Sequence, residues 1–299
     1  YWFNLIFCTV IGIWLFDENN NWWRLISGLL FINSYHYSSF FPAELNGPLW
    51  SIGLEVSCYL LLPIVLFVII KNTKRISFAI LGMIMWIIAL QLLNPWIINN
   101  FMTSDKSKGW EFGLTGGAKQ WLPYWNIGSF FTQFLCGSLA ALIIVALRAR
   151  GTFKSISFDL SFVALAIASI LLVAIRLEPG APDSFTKQPY LAPFYAILMA
   201  GVLVSASFST QIYKLLDNKL FRWVAKLSFS IYLWHMFLIE IIQRKFLTKY
   251  IYYGLTDSLQ WVFISSIILI GSILIAATSW RLLESPVLRL ARQLTQTKS

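Results

Sequence analysis

The sequence predicts an all-α integral membrane protein, a polytopic bundle of about eight transmembrane helices plus one interfacial or re-entrant helix. Two observations carry this. Hydrophobic residues make up 58% of the 299 and charged residues only 12%, about half the charge of an ordinary soluble domain; the mean hydropathy is +0.69. The apolar residues also fall in continuous blocks long enough to cross a hydrocarbon core about 30 Å thick. Continuous blocks argue against a transmembrane β-barrel, whose strands alternate apolar and polar residues.

The blocks place spans near 1–16, 49–70, 76–98, 127–147, 158–175, 191–208, 228–243 and 259–282. Tyr1–Phe16 has no basic start and no small-residue cleavage site, so it reads as a span and not a signal peptide. Because the chain opens on Tyr1 rather than Met, the natural protein is expected to extend upstream. The segment 22–41 is apolar only from Leu25 to Ile32. It then runs Asn33-Ser34-Tyr35-His36-Tyr37-Ser38-Ser39, too polar for a lipid-facing crossing. It is expected to be interfacial or re-entrant.

Loop charge sets the orientation. The connections 71–75, 148–154 and 210–226 each carry net +3, as does 281–299, against −1, −1, +1, 0 and +2 for 17–24, 42–48, 99–126, 176–190 and 244–258. The basic set is expected on the cytoplasmic side, with the C-terminus cytoplasmic, in a multi-pass protein of the plasma (inner) membrane. The net charge of +10 is therefore a topology signal, and no nucleic-acid partner is implied; the partner that composition requires is the lipid bilayer. No separate soluble domain is expected, and residues 1–299 read as one transmembrane domain. The glycine-rich loop 99–126 suits either an external lid or a passive connection. Residues 211–226 alternate apolar and basic positions, as expected of an amphipathic helix on the inner membrane face. Cys8, Cys58 and Cys136 all lie in apolar segments, so neither a disulfide framework nor a zinc site is implied. Two histidines and scattered carboxylates offer no metal ligand set.

Ionisable groups inside a bilayer are costly and are functional candidates for that reason. Asp159 reads as a cap or terminator of its own helix, and Glu240 as an interfacial partner of Arg244. Glu55 differs. It sits in Asn46-Gly47-Pro48-Leu49-Trp50-Ser51-Ile52-Gly53-Leu54-Glu55-Val56-Ser57-Cys58-Tyr59-Leu60-Leu61-Leu62-Pro63. Ser51, Glu55 and Tyr59 recur every four residues, stacking hydroxyl, carboxyl and phenol on one helix face. A polar packing cluster between helices is the structural alternative. In Leu227-Ser228-Phe229-Ser230-Ile231-Tyr232-Leu233-Trp234-His235, the side chains of Ser228, Tyr232 and His235 also share a face. A hydrogen-bonded core histidine is the alternative there. Glu55 and His235 are expected to face a common interior cavity. Arg281-Leu282-Leu283-Glu284-Ser285-Pro286 follows the last span; Arg281 and Glu284 are spaced to pair, and Pro286 is expected to help stop the helix.

Together these three stretches resemble the acyltransferase-3 family of membrane-embedded O-acyltransferases, in order and spacing, over Asn46–Pro286. Two positions depart from the family pattern: Cys58 stands where an aromatic residue is usual, and Phe237 where proline is frequent. The resemblance implies transfer of an acyl group, commonly acetyl, from a cytoplasmic donor such as acetyl-CoA to a hydroxyl of an extracytoplasmic carbohydrate acceptor. It implies no metal. Glu55 would act as general base or as the orienter of a catalytic histidine, and His235 would be the second catalytic candidate, positioning acyl group or acceptor. Asn46, Trp50, Ser51, Tyr59, Ser230 and Tyr232 would line the substrate site, with Arg281, Glu284 and Pro286 structural. The family begins with two further helices, the first carrying a histidine, so this chain alone is expected to be inactive. The alternative function is a transporter or flippase using Glu55 and His235 as a proton relay; no internal repeat or pair of broken helices supports it.

Overall fold

Long apolar runs with few glycines or prolines must satisfy their backbone internally in lipid, and the helix is the local solution. The computed structural model describes residues 1–16, 22–36, 38–73, 75–101, 126–176, 193–248 and 254–296. Its helices are α1 (Trp2–Phe16), α2 (Trp22–Leu29), α3 (Trp50–Asn72), α4 (Ile76–Phe101), α5 (Ile127–Ala149), α6 (Ile156–Arg176), α7 (Phe194–Phe208), α8 (Gln211–Leu216), α9 (Lys219–Lys245), α10 (Ser258–Ser279) and α11 (Ser285–Gln296). Among the described residues there is no strand.

Each of the eight expected segments contains a helix, and among the described residues six are long and apolar enough to cross a membrane by length and composition. These make the chain a multi-pass membrane protein. The helices α1 and α7 have 15 described residues each, about 22 Å at 1.5 Å per residue, so the described residues give six spans on length and not the expected eight. The eight residues of α2 cover about 12 Å. The loop 99–126 lies almost wholly outside the described residues, and so do 177–192.

The basic stretch 211–226 is not one amphipathic helix. It breaks at Asp217 and Asn218, whose short polar side chains favour turns; from Lys219 the chain enters the 27-residue α9 that carries His235. Nor does Pro286 stop the last helix. Five residues, Trp280–Glu284, form a π turn closed by Ser285 N–H on the Trp280 carbonyl, and α11 continues from Ser285. A proline lacks the donor for the carbonyl four residues back and its ring crowds it. The wider turn just before Pro286 relieves that conflict, as π-bulges do inside helices.

The chain divides into two compact units: Tyr1–Asn33, Phe41–Ser51 and Lys219–Ser299 form the first, and Ser34–Phe40 with Ile52–Asn218 the second. In the second, Cys58, Met83, Leu135 and Cys136 are buried in one apolar core built from α3, α4, α5 and α7. Cys58, the departure from the family pattern, is fully buried there. Asn94 Nδ2 donates to Ser129 Oγ at 2.6 Å and Gln91 Nε2 to Thr132 Oγ1 at 3.3 Å, polar links between α4 and α5. Asn126 caps α5 by accepting from Gly128 and Ser129 N–H, a contact worth about 1 kcal/mol.

Asp159 does not cap its own helix. Its carboxylate, on α6, accepts from Thr210 N–H, Thr210 Oγ–H, Gln211 N–H and Ile212 N–H at 2.6–2.9 Å. It thus serves the start of α8, where N–H groups lack helical partners.

In the first unit α1 and α2 approach closely at Gly28. A Cβ there would lie 2.8 Å from Pro42 Cβ and 2.9 Å from a Leu5 methyl. Tyr1 Oη donates to the Gly28 carbonyl at 3.1 Å, and Phe31, held at φ 59°, stacks on Tyr1 with ring centroids 5.0 Å apart. Arg24 donates to the Phe41 carbonyl at 2.7 Å and pairs with Glu44. The chain after α2 is thereby tied down before it reaches Asn46.

Candidate functional site

The first unit gathers most of the polar residues singled out from sequence. Asn46, fully buried, precedes a 3-10 turn at Gly47–Leu49. Its Nδ2 donates to Asn4 Oδ1 at 2.8 Å and to the Leu233 carbonyl at 2.6 Å; Asn4 Nδ2 donates to the same carbonyl at 3.0 Å. Three segments, α1, the pre-α3 turn and α9, are thus locked by one buried amide pair on one backbone carbonyl. Sequence reasoning missed Asn4. The signal was an amide inside an otherwise apolar span, a residue type that hydrogen-bonds across helices in membranes.

At the preceding residue of α9, Tyr232 Oη donates to the Pro48 carbonyl at 2.8 Å and lies 2.6 Å from Ser51 Oγ. A phenol has one proton. Since the carbonyl can only accept, Ser51 Oγ–H must be the donor to Tyr232. The relay therefore runs Ser51 to Tyr232 to Pro48, joining α9 to the start of α3. Trp50 is half-buried, and its carbonyl lies 3.4 Å from Asn33 Nδ2.

His235 is half-buried on α9, with Nδ1 2.8 Å from the Tyr232 carbonyl. A carbonyl only accepts, so Nδ1 carries the proton, and in the neutral ring the lone pair sits on Nε2. Among the described residues Nε2 has no hydrogen-bond partner. This is the tautomer in which a histidine can accept a proton or a hydroxyl at Nε2. Phe237, the other departure from the family pattern, packs edge-on to Phe7 and Trp234 with centroids 5.4 and 5.8 Å apart.

Ser228 bonds back to the Ala225 carbonyl of its own helix. Ser230 is fully buried and donates to Glu284 in the π turn. Glu284 is therefore held by Ser230 and not by Arg281, which is exposed; the expected pairing of Arg281 with Glu284 is corrected. Lys226 Nζ lies 4.9 Å from the Trp280 ring centre, a second tie between α9 and the π turn. A cavity of about 590 Å³ in this unit is lined by Asn4, Phe229, Trp234, Ser279, Leu283 and Glu284, among others. Its walls are mostly apolar, with the Glu284 carboxylate, the Asn4 amide and the hydroxyls of Tyr1 and Ser279 among the polar groups. Glu240 pairs with Arg244 at 2.7 Å, as expected.

Glu55 belongs to the second unit. It is half-buried on α3, one turn beyond Ser51. Tyr59, the next residue of that face, is 60% exposed and meets Phe134 edge-on at 5.4 Å. Ser57 donates to the Gly53 carbonyl and accepts from Tyr35 Oη at 2.7 Å. Among the described residues no group of three His, Cys, Asp or Glu side chains could hold a metal.

A multi-pass helical protein with buried hydroxyl and amide groups and a half-buried imidazole on its membrane helices fits the class of intramembrane transferases. The family model described as an acyltransferase domain, acyltransferase-3, matches residues 1–277, and the chain belongs to that family. O-acetyltransferase OatA of Staphylococcus aureus strain NCTC 8325 is 24% identical over 273 residues, covering 90% of this chain. A second S. aureus protein, from strain COL and provisionally named an O-acetyltransferase, is 23% identical over 270 residues, or 89% of this chain. The chain spans 39% of the length of each of these relatives. No solved structure matches it.

Proposed function

We propose that this protein is a membrane O-acyltransferase. It moves an acyl group, acetyl by preference, from a cytoplasmic acyl-CoA such as acetyl-CoA to a hydroxyl of an extracytoplasmic carbohydrate or other envelope acceptor. It works in the plasma (inner) membrane, with the basic connections and the C-terminus on the cytoplasmic side. Membership of the acyltransferase family and the names of the relatives support the reaction class. The observation that carries the site is the fixed tautomer of His235, which leaves Nε2 as an acceptor beside the Ser51–Tyr232–Pro48 relay.

In this reading Glu55 takes the proton of the attacking hydroxyl or orients the group that does, since a partly desolvated carboxylate is a competent base. His235 accepts a hydrogen bond from the acceptor or acyl group, and Tyr232 fixes its ring through the backbone. Trp50, Ser51 and Tyr59 shape the substrate route on α3, while Asn46 and Ser230 hold its frame. The test is transfer of labelled acetyl from acetyl-CoA to envelope hydroxyls in membranes containing the protein. Retained label in the envelope supports the reading, and hydrolysis of acetyl-CoA with no ester formed would sink it.

A further inference from the structure

We propose that Ser38 and His36 form a nucleophile–base dyad that carries the acyl group covalently as a serine ester. This rests on the acyl-transfer reading above and assigns that reaction an intermediate.

The argument begins with a proton. Ser38 Oγ lies 2.7 Å from His36 Nδ1, and Ser38 backbone N–H donates to the same nitrogen at 3.2 Å. A backbone N–H can only donate, so Nδ1 bears the lone pair. The hydroxyl must then also donate to Nδ1, which is the arrangement of a serine activated by a neutral imidazole. The dyad sits on a closed turn. Ser39 N–H and Ser39 Oγ–H both reach the His36 carbonyl, at 3.2 and 3.3 Å. Ser39 and Phe40 are buried and anchor it, and Tyr35 bonds Ser57 on α3 in the same unit. Three serines lie in this stretch, and burial separates them. Ser34 and Ser39 are buried, whereas Ser38 is exposed and is the one whose hydroxyl meets the imidazole.

The chemistry balances without a further reagent. Ser38 Oγ attacks the carbonyl carbon of a thioester donor, its proton passing to His36 Nδ1. The C–S bond breaks, and the imidazolium returns the proton to the leaving sulfur. In the second half an acceptor hydroxyl attacks the serine ester and gives its proton to Nδ1. The C–Oγ bond breaks, and Ser38 recovers that proton. The substrate class is therefore a small acyl thioester followed by an alcohol.

The test uses the full-length protein that contains this chain, in detergent, incubated with labelled acetyl-CoA or, separately, with labelled p-nitrophenyl acetate, then acid-quenched and digested. The expected result is one acetyl group on the peptide carrying Ser38, stable to neutral hydroxylamine and released at alkaline pH. Ser38→Ala should abolish it with an unchanged melting curve, and His36→Gln should slow it about 10²-fold or more. Ser38→Cys should restore labelling as a thioester cleaved by neutral hydroxylamine, which a purely structural serine would not do. Acetyl transfer at the wild-type rate by Ser38→Ala overturns the dyad and leaves the acyltransferase reading standing. Absence of label on Ser38 from both donors also overturns it. Label from p-nitrophenyl acetate alone sustains the dyad and sinks acetyl-CoA as the donor.

Discussion

Tyr232 and Ser51, 181 residues apart, meet at 2.6 Å with the proton order fixed by the Pro48 carbonyl. The contact joins two of the three motifs that resemble the acyltransferase-3 family. Tyr232→Phe keeps the ring and removes the hydroxyl. The expected loss is about 1–3 kcal/mol of stability, for both hydrogen bonds that the phenol makes, to Pro48 and to Ser51, read as a lowered melting temperature. Ser51→Ala should cost less, about 1 kcal/mol, because the Tyr232–Pro48 bond survives. Equal losses in the two variants would contradict the assigned proton order.

His235 separates a structural from a chemical role. In His235→Asn the amide nitrogen can stand in for Nδ1–H toward the Tyr232 carbonyl, while the acceptor at Nε2 is lost. The expected outcome is a melting temperature near wild type and acyl transfer reduced about 10²-fold. A variant that is both stable and active would remove Nε2 from the mechanism.

Asn46 should tolerate no charge. The groups facing its Nδ2 all accept from it: Asn4 Oδ1, the Leu233 carbonyl and, at 3.7 Å, Cys8 Sγ. Asn46→Asp would set a buried carboxylate against them, at a cost of about 3–5 kcal/mol. Asn46→Ala should cost about 1–3 kcal/mol. Folded yield and thermal melts of the two variants give the order; the reverse order would contradict the hydrogen-bond assignment.

Gly28 is a packing constraint. Because a Cβ would meet Pro42 and Leu5 below 3.0 Å, Gly28→Ala should destabilise the protein by about 1–3 kcal/mol. A neutral result in a thermal melt would mean that α1 and α2 do not approach as described.

Much of this was legible in the sequence, for local reasons. Block hydropathy marked each long helix because its cause, the bilayer, acts on every residue of a span. The four-residue spacing marked the face shared by Ser51 and Glu55. What escaped depended on distant partners. Asn4 reveals its role only opposite Asn46 and Leu233. Asp159 looked like a local cap because the N–H groups it serves lie more than 50 residues on. Pro286 signalled a stop, yet a π turn absorbed it, and the pairing of Glu284 with Ser230 displaced the nearer Arg281. Asp217-Asn218 was a break signal overshadowed by the periodic basic residues around it.

The central claim is acyl transfer with Glu55 at its chemistry. Glu55→Gln keeps the side-chain shape and removes the ability to hold a proton. The decisive measurement is the initial rate of labelled acetyl transfer from acetyl-CoA to an acceptor hydroxyl by the full-length protein, with the folded variant and wild type compared at equal protein. The account predicts a fall of about 10²–10⁴-fold with the melting curve preserved. Transfer by Glu55→Gln at the wild-type rate would contradict it.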